Sequence, residues 1–481
     1  MPRKALSVLA ALLLSSTQAA AQTTPTERVA AKSVLAAIDK LQTQLAPTRR
    51  ANALASKADA DRDKLLQRVD AHWNGGLQAL SDWIGHNPEV GFKEFKAVDT
   101  LTKTLRALGF TVETPVAGLA TAFVATWDSP AGVNGPTLGL IGEYDALRGT
   151  QGNFHGDQHN AQTPVAIAAA QALMEYMTER RVPGRVKIFG TPAEEVGPPT
   201  KTIMQKAGLF KGTDILLRSH STGGPTKRAN AGFGVCCLNI NEVKYIFKGR
   251  PSHQLSSWNG RNALEAAVTF YTAVDRLRSS LRPETSMQGV IPEGGVAPNV
   301  VPDRAVVDFY LRHPDEVYLA LVDSMVTRAA WGAALATGTT LEIQRYGEYR
   351  DGMSLGTLEE LSFAYAKKLN APRISDEPDR PSGYEETGFL SREVPGLGVT
   401  VASSAYANHT YEMTDDNFNA TGHTAFLLDA KITAAVLYHF LTDASFRDAV
   451  KTEHRAMGQL FDEYIASLRA AYKQEAALIK P

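Results

Sequence analysis

Along most of this 481-residue chain, short apolar or β-branched runs alternate with longer stretches in which apolar positions recur at helical spacing. From about Leu66 the pattern predicts a helix to His86, strand-like segments at Thr111-Val112-Glu113 and Thr121 to Trp127, and a buried-type strand at Thr137 to Gly142. A helix over Thr163 to Arg180, stopped by Pro183-Gly184, leads to a strand at Arg185 to Gly190, a helix at Thr200 to Leu209 and a strand at Asp214 to Leu217. This β-α-β-α-β order predicts parallel strands, with ligands gathering beyond their carboxyl ends. Between Val235 and Tyr349 the order changes to strand (Leu238 to Phe247), helix (Arg261 to Ser280), strands at Gly289 to Ile291 and Ala305 to Leu311, helix (Asp315 to Ala336) and strand (Thr340 to Gln344). That is the split βαβ, ferredoxin-like plan. Beyond it come a strand at Leu397 to Ala402 and a closing helix at Thr424 to Leu441. The expected fold class is α/β, with a mostly parallel central sheet interrupted by a βαββαβ insertion.

The ends of the chain read differently. Met1 to Ala21 carries Arg3 and Lys4, an apolar run from Ala5 to Leu14, and Ala19-Ala20-Ala21 before Gln22, the layout of a cleavable secretory signal. The run is too short to span a bilayer, and no other segment is expected to do so. Residues 22–65 read as a polar, Ala-rich helical extension broken around Ala46-Pro47-Thr48, with surface, packing, partner-docking or lid-covering roles left open. The expected division is thus 1–21 signal, 22–65 extension, 66–234 first catalytic part, 235–349 lid and dimerisation domain, and 350–481 second catalytic part. Removal of the signal takes the formal charge from −1 to −3, too weak a balance to imply nucleic acid. The only cysteines are the neighbours Cys236 and Cys237, so no disulfide framework is expected.

Chemistry concentrates at the predicted strand ends. Phe154-His155-Gly156-Asp157-Gln158-His159-Asn160 places two imidazoles and a carboxylate within five residues, Thr191-Pro192-Ala193-Glu194-Glu195 adds two carboxylates, and Ser219-His220 another imidazole. Zinc and its neighbours take His nitrogen and carboxylate oxygen, and Asp157, His159, Glu195, His220 and His409 supply enough of both for a pair of ions. Adjacent Glu194 and Glu195 would project in different directions in extended backbone, one toward metal and the other toward an attacking water. Asp145 is expected to orient a ligand histidine, and His155 to bond backbone in its turn, with contact to metal as the alternative. His72, His86, His423, His439 and His454 fall on predicted helices or their ends and read as surface or packing residues.

Six segments together make a more specific pattern: Asn87-Pro88-Glu89-Val90-Gly91-Phe92-Lys93-Glu94, Gly142-Glu143-Tyr144-Asp145-Ala146-Leu147, the His155 to Asn160 cluster, Pro192-Ala193-Glu194-Glu195, Gly260-Arg261-Asn262-Ala263-Leu264 and Pro298-Asn299-Val300-Val301-Pro302-Asp303. In this order, over about residues 70 to 442, they resemble the M20 metallopeptidase and amidohydrolase family, nearest its aminobenzoyl-glutamate hydrolase-like branch. The resemblance implies a zinc-peptidase-like catalytic domain with two divalent ions, zinc first, with manganese or cobalt as alternatives. It implies Glu194 as general base, Asp157, His159, Glu195, His220 and His409 as ligands, and a lid that also forms a homodimer. Lid His253 would stabilise an oxyanion, in the partner's site, or else be a surface-loop residue. Asn299 and Arg312 match positions that hold a substrate carboxylate, though Arg312 suits a structural ion pair equally.

The chain also departs from the branch. Asp157 stands where a bridging cysteine is usual, Gln158 replaces glycine and adds bulk beside the site, Gln288 stands where a lid histidine is common, and Arg148 where proline is usual. The expected function is a periplasmic or secreted amidohydrolase cleaving the amide of N-acyl or N-aroyl amino acids by a metal-activated water. Alternatives are an exopeptidase for di- or tripeptides and a non-catalytic binding protein on the same scaffold. The partner expected is a small-molecule amide.

Overall fold

A computed structural model describes residues 25–233, 239–379, 388 and 390–479. The expected signal at 1–21 and the Cys236-Cys237 pair lie outside the described residues.

The central sheet holds six strands in the order Thr111–Glu113, Phe123–Asp128, Arg185–Gly190, Thr137–Gly142, Ile215–Ser219, Gly396–Val399. The last four run parallel, while the first two pair antiparallel. The sheet is therefore mixed, because the Phe123–Asp128 and Thr137–Gly142 connection has no crossover helix and the chain reverses. Every residue of Thr137–Gly142 and Ile215–Ser219 is buried, as strands covered on both faces must be. The covering helix Gln162–Arg180 is rich in alanine and buried around most of its circumference, so that Ala60–His72 and Ala420–Thr442 pack closely against it.

The predicted helix from Leu66 to His86 is two helices, Ala60–His72 and Gln78–His86, joined by a wide turn. Gly76 in that turn adopts φ 151°, a conformation that only glycine takes readily, and this breaks the periodic run. The 22–65 extension is not surface ornament. Pro25–Leu45 packs on Ala444–Ala471, and Pro47–Ser56 on Gly356–Lys368, burying Ala31, Val34, Ile38 and Ala51 in the main core.

The inserted domain is a four-stranded antiparallel sheet ordered Ser286–Glu293, Arg304–His313, Asn239–Lys248, Thr340–Tyr349, with helices Ala263–Leu277 and Glu316–Thr337 on one face. Local sequence explains the helix ends. Asn262 and Asp315 accept from the first backbone N–H groups, and Gly338 closes the second helix at φ 64°. Val243, Tyr245, Phe247, Phe309 and Leu311 point to these helices and form the inner core. Glu316–Thr337 and Ala420–Thr442 are apolar enough to cross a membrane by composition, but both are packed against other elements of the fold.

Candidate metal centre

The parallel strands end together, and the turns that follow them carry the polar residues. Glu143 and Asp145 follow Thr137–Gly142, Glu194 and Glu195 follow Arg185–Gly190, and His220 follows Ile215–Ser219. Asp157 and His159 sit just before the Gln162–Arg180 helix. His409 comes from the loop beyond Gly396–Val399, held by its N–H donating to the Gly156 carbonyl at 2.6 Å. His409 has φ 66°, and a methyl group at Gly156 would meet its Cα at 2.8 Å, so glycine is needed for this approach.

These side chains converge. Asp157 Oδ2 lies 3.6 Å from His159 Nε2 and 3.7 Å from His409 Nε2, and His409 Nε2 is 3.5 Å from Glu195 Oε1. Ligand atoms of Asp157, His159 and Glu195 form one group within 4.8 Å, and those of Glu143, His159 and His220 a second that shares His159. Ligands bonded tetrahedrally at about 2.1 Å stand about 3.4 Å apart, so the separations suit a divalent cation.

The imidazoles are oriented as ligands. His159 Nδ1 faces Asp145 Oδ1 at 3.1 Å, and Nε2 is aimed into the cluster, 3.2 Å from Glu143 Oε2 and 3.6 Å from Asp157 Oδ2. His220 Nδ1 lies 3.0 Å from the Ser221 carbonyl, which can only accept, so Nδ1 carries a proton and donates to it. Asp145 also accepts from the Glu195 N–H at 2.9 Å, tying two strand ends through one carboxylate.

Electrostatics agree with the geometry. Burial, and then the charge of Asp157, push the Glu195 carboxyl up to about 9. Against burial, His159 and His220 hold Asp157 well below the usual carboxylate range, and Asp157 and Asp145 with Glu143 hold His159 well above the usual imidazole range. Asp157 and Glu195 thus share one proton, which a cation between them would replace. The donor set fits two metal ions.

Glu194 lies half-buried beside Glu195 in a turn, not in the extended backbone expected, because Ala193 takes φ 57°. His155 is fully buried and belongs to neither ligand group. Its burial lowers it to about 4, and its carbonyl accepts from Thr414 and Asn417. Gln158 is likewise buried and points away from the ligand cluster, bonding Ser219 and Asp429; the extra bulk does not fill the site.

On the inserted domain, His253 and Asn299 lie together at an exposed edge, where the Asn299 carbonyl accepts from Gln254 N–H at 3.0 Å. Leu255 N–H donates to His253 Nδ1 at 3.1 Å, so Nδ1 is the acceptor and the single proton of the neutral ring sits on Nε2, which is left as a donor. Arg312 sits apart from them on the sheet face, its guanidinium 6.0 Å from the Tyr310 ring. Among the described residues, the polar contacts of these three stay within the inserted domain.

The sequence places Glu143 at a strand end and Glu94 at the end of a motif, but gives neither a role. Glu143, fully buried, pairs with Lys201 at 2.6 Å and Arg218 at 3.3 Å, which hold it anionic against burial. An arginine inside the otherwise apolar Ile215–Ser219 run was the available signal. Glu94 accepts from the Ala193 N–H at 2.8 Å and from Thr121 Oγ1 at 2.8 Å, bracing the turn that carries Glu194.

A cation cage at the carboxyl ends of parallel strands, with an inserted antiparallel domain, defines a metal-dependent hydrolase class. Residues 234–330 match the peptidase dimerisation domain of the M20 family. The chain is 31% identical to mouse (Mus musculus) Xaa-Arg dipeptidase over 84% of its own length and 93% of that protein's. It is 31% identical to a p-aminobenzoyl-glutamate hydrolase polypeptide of Escherichia coli K12, over 78% and 91%. It shares its fold with an aminobenzoyl-glutamate utilization protein from Klebsiella pneumoniae, at TM-score 0.60 and 19% identity, covering 77% of this chain and 98% of that one. The chain belongs to the M20 family and is a metal-dependent amidohydrolase or peptidase.

Proposed function

We propose that this enzyme cleaves the amide of an N-acyl or N-aroyl amino acid, with Glu194 as general base and Asp157, His159, Glu195, His220 and His409 holding two divalent ions. Zinc is the proposed metal, with manganese or cobalt as alternatives. The convergence of those five side chains, with His159 shared between the two ligand groups, is the single observation that carries the reading. When bound, the ions supply Lewis acidity toward the amide carbonyl and lower the pKa of water. Glu194 takes a proton from the attacking water and returns it to the leaving amine, while Asp145 keeps His159 and the Glu195 backbone in place. His253 of the partner subunit offers its Nε2–H to the developing oxyanion, and Asn299 and Arg312 receive the substrate carboxylate. The dimerisation-domain match supports a homodimer, and the Met1 to Ala21 pattern supports export to the periplasm or medium.

A dipeptidase reading is favoured by the similarity to Xaa-Arg dipeptidase, which equals that to the aminobenzoyl-glutamate relative. A panel of aroyl-glutamates, aroyl-phenylalanines and dipeptides, with and without carboxyl-terminal arginine, decides between them by kcat/KM with zinc and with manganese. Higher kcat/KM on dipeptides would sink the acyl amino acid reading. Glu194→Gln should lower kcat/KM by about 10²–10⁴-fold with both metal equivalents retained by elemental analysis; full turnover would remove Glu194 from this role.

A further inference from the structure

One buried group beneath the centre is unused by that mechanism. Asp429 lies in the middle of the Ala420–Thr442 helix, wholly inside the protein, where an ionisable carboxyl is costly unless bonded. Its Oδ2 accepts from Ser219 Oγ at 2.8 Å, Ser221 Oγ at 2.8 Å and Gln158 Nε2 at 3.0 Å. Gln158 Nε2 donates its second proton to Ser219 Oγ at 2.8 Å, and Gln158 Oε1 accepts from the Ser221 N–H. With both amide hydrogens of Gln158 used, the single hydroxyl hydrogen of Ser219 has two acceptors within reach, Asp429 Oδ2 at 2.8 Å and Gln158 Oε1 at 3.2 Å, and the shorter contact is to Asp429; all three donors converge on Oδ2, while Oδ1 is buried without a partner.

The sequence positions of these three partners give the network its meaning. Gln158 stands between Asp157 and His159, and Ser219 and Ser221 flank His220. The His220 ring is itself bonded to the Ser221 carbonyl, so moving Ser221 turns the ring. We propose that Asp429 is a positioning residue of the metal centre, whose carboxylate joins the 157–159 turn to the 219–221 turn and so sets the spacing between His220 and the Asp157–His159 pair. The inference rests on the reading of those residues as metal ligands. Asp429 touches neither ion nor substrate; it acts through Ser219, Ser221 and Gln158.

The test is metal affinity of the full chain, measured by zinc and manganese titration against a chromogenic chelator, beside the melting temperature of the metal-free protein. Asp429→Leu keeps the branched shape of the side chain, with somewhat more bulk, and removes the acceptor; affinity for at least one of the two ions should fall about 10–100-fold, as for other residues that orient metal ligands. Asp429→Asn can offer one carbonyl oxygen to the same three donors, and it should stay within about threefold of wild type, well short of that range. Gln158→Ala should weaken binding in the same direction, and Gln158→Ala combined with Asp429→Leu should be no worse than Asp429→Leu alone, because both act on one network. If Asp429→Leu does not fold, Gln158→Ala and Ser221→Ala make the same comparison. Wild-type affinity for both ions in the folded variants, or equal losses in Asp429→Asn and Asp429→Leu, would overturn the inference. A wild-type protein that takes up no metal would instead overturn the metal-centre reading beneath it.

Discussion

Glu94 shows how a single buried side chain links the site to stability. Burial pushes its carboxyl up from an ordinary 4.5 to about 7, while Thr121 and the Ala193 N–H, which favour the charged form, only partly offset this. Because the folded form binds the proton more tightly than the unfolded chain, the contribution is full below about pH 4.5 and is lost as pH rises through about 7. The metal-free protein should therefore lose up to about 3 kcal/mol of unfolding free energy between pH 4.5 and 8 from this group. Glu94→Gln, which mimics the protonated form, should flatten that slope in urea titrations at successive pH values. An unchanged slope would show that Glu94 does not titrate in this window. In the sequence this residue stands out only as the end of a motif. Its partner Ala193 lies 99 positions away, and no spacing rule reaches that far.

At the scale of elements, Glu453 is the clearest case of a helix end satisfied from a distance. Sitting on Ala444–Ala471 and fully buried, it accepts from Gly356 N–H at 2.7 Å and Thr357 N–H at 2.9 Å, the first amides of the Gly356–Lys368 helix. Gln42 of the first helix donates to the same carboxylate at 2.6 Å, so three helices meet on one side chain. Glu453→Ala leaves these donors buried without an acceptor and should cost about 2–4 kcal/mol, read as a lower midpoint in denaturant unfolding. A loss under about 0.5 kcal/mol, the range of ordinary surface substitutions, would mean that water replaces the carboxylate. Most elements were legible from periodicity, because strands buried on both faces read as continuous apolar runs and helices carry their caps locally. The break at Gly75-Gly76 and the antiparallel reversal before Thr137–Gly142 were not, since both depend on what the chain packs against. The role of residues 25–56 was hidden for the same reason: their alanines become core only against Ala444–Ala471 and Gly356–Lys368.

For the whole molecule, the inserted domain offers the surface on which the proposed dimer depends. Ser286–Glu293 is an edge strand with Val290 62% exposed, and Leu255 and Trp258, beside His253, are 77% and 74% exposed. An apolar unpaired edge of this kind invites a second strand. Val290→Lys with Ile291→Asp should halve the mass seen by light scattering and leave two metal equivalents bound. Loss of the partner's His253 should also lower kcat by about 10²–10³-fold. A fully active monomer would refute the reading that His253 acts across the interface.

Residue types, element order and the placement of Asp157, Glu194, Glu195 and His220 after strands were determined by the sequence alone, because hydrophobic period and strand-end position are local properties. Only the tertiary structure decided that Gln158 turns inward to Asp429, that Glu143 is matched by Lys201 and Arg218, and that His409 closes the cluster over Gly156. Hydrogen bonds and ion pairs between residues as far apart as the 271 positions from Gln158 to Asp429 or the 411 from Gln42 to Glu453 are set by the direction of each side chain in a packed interior, and that direction exists only once the chain has folded.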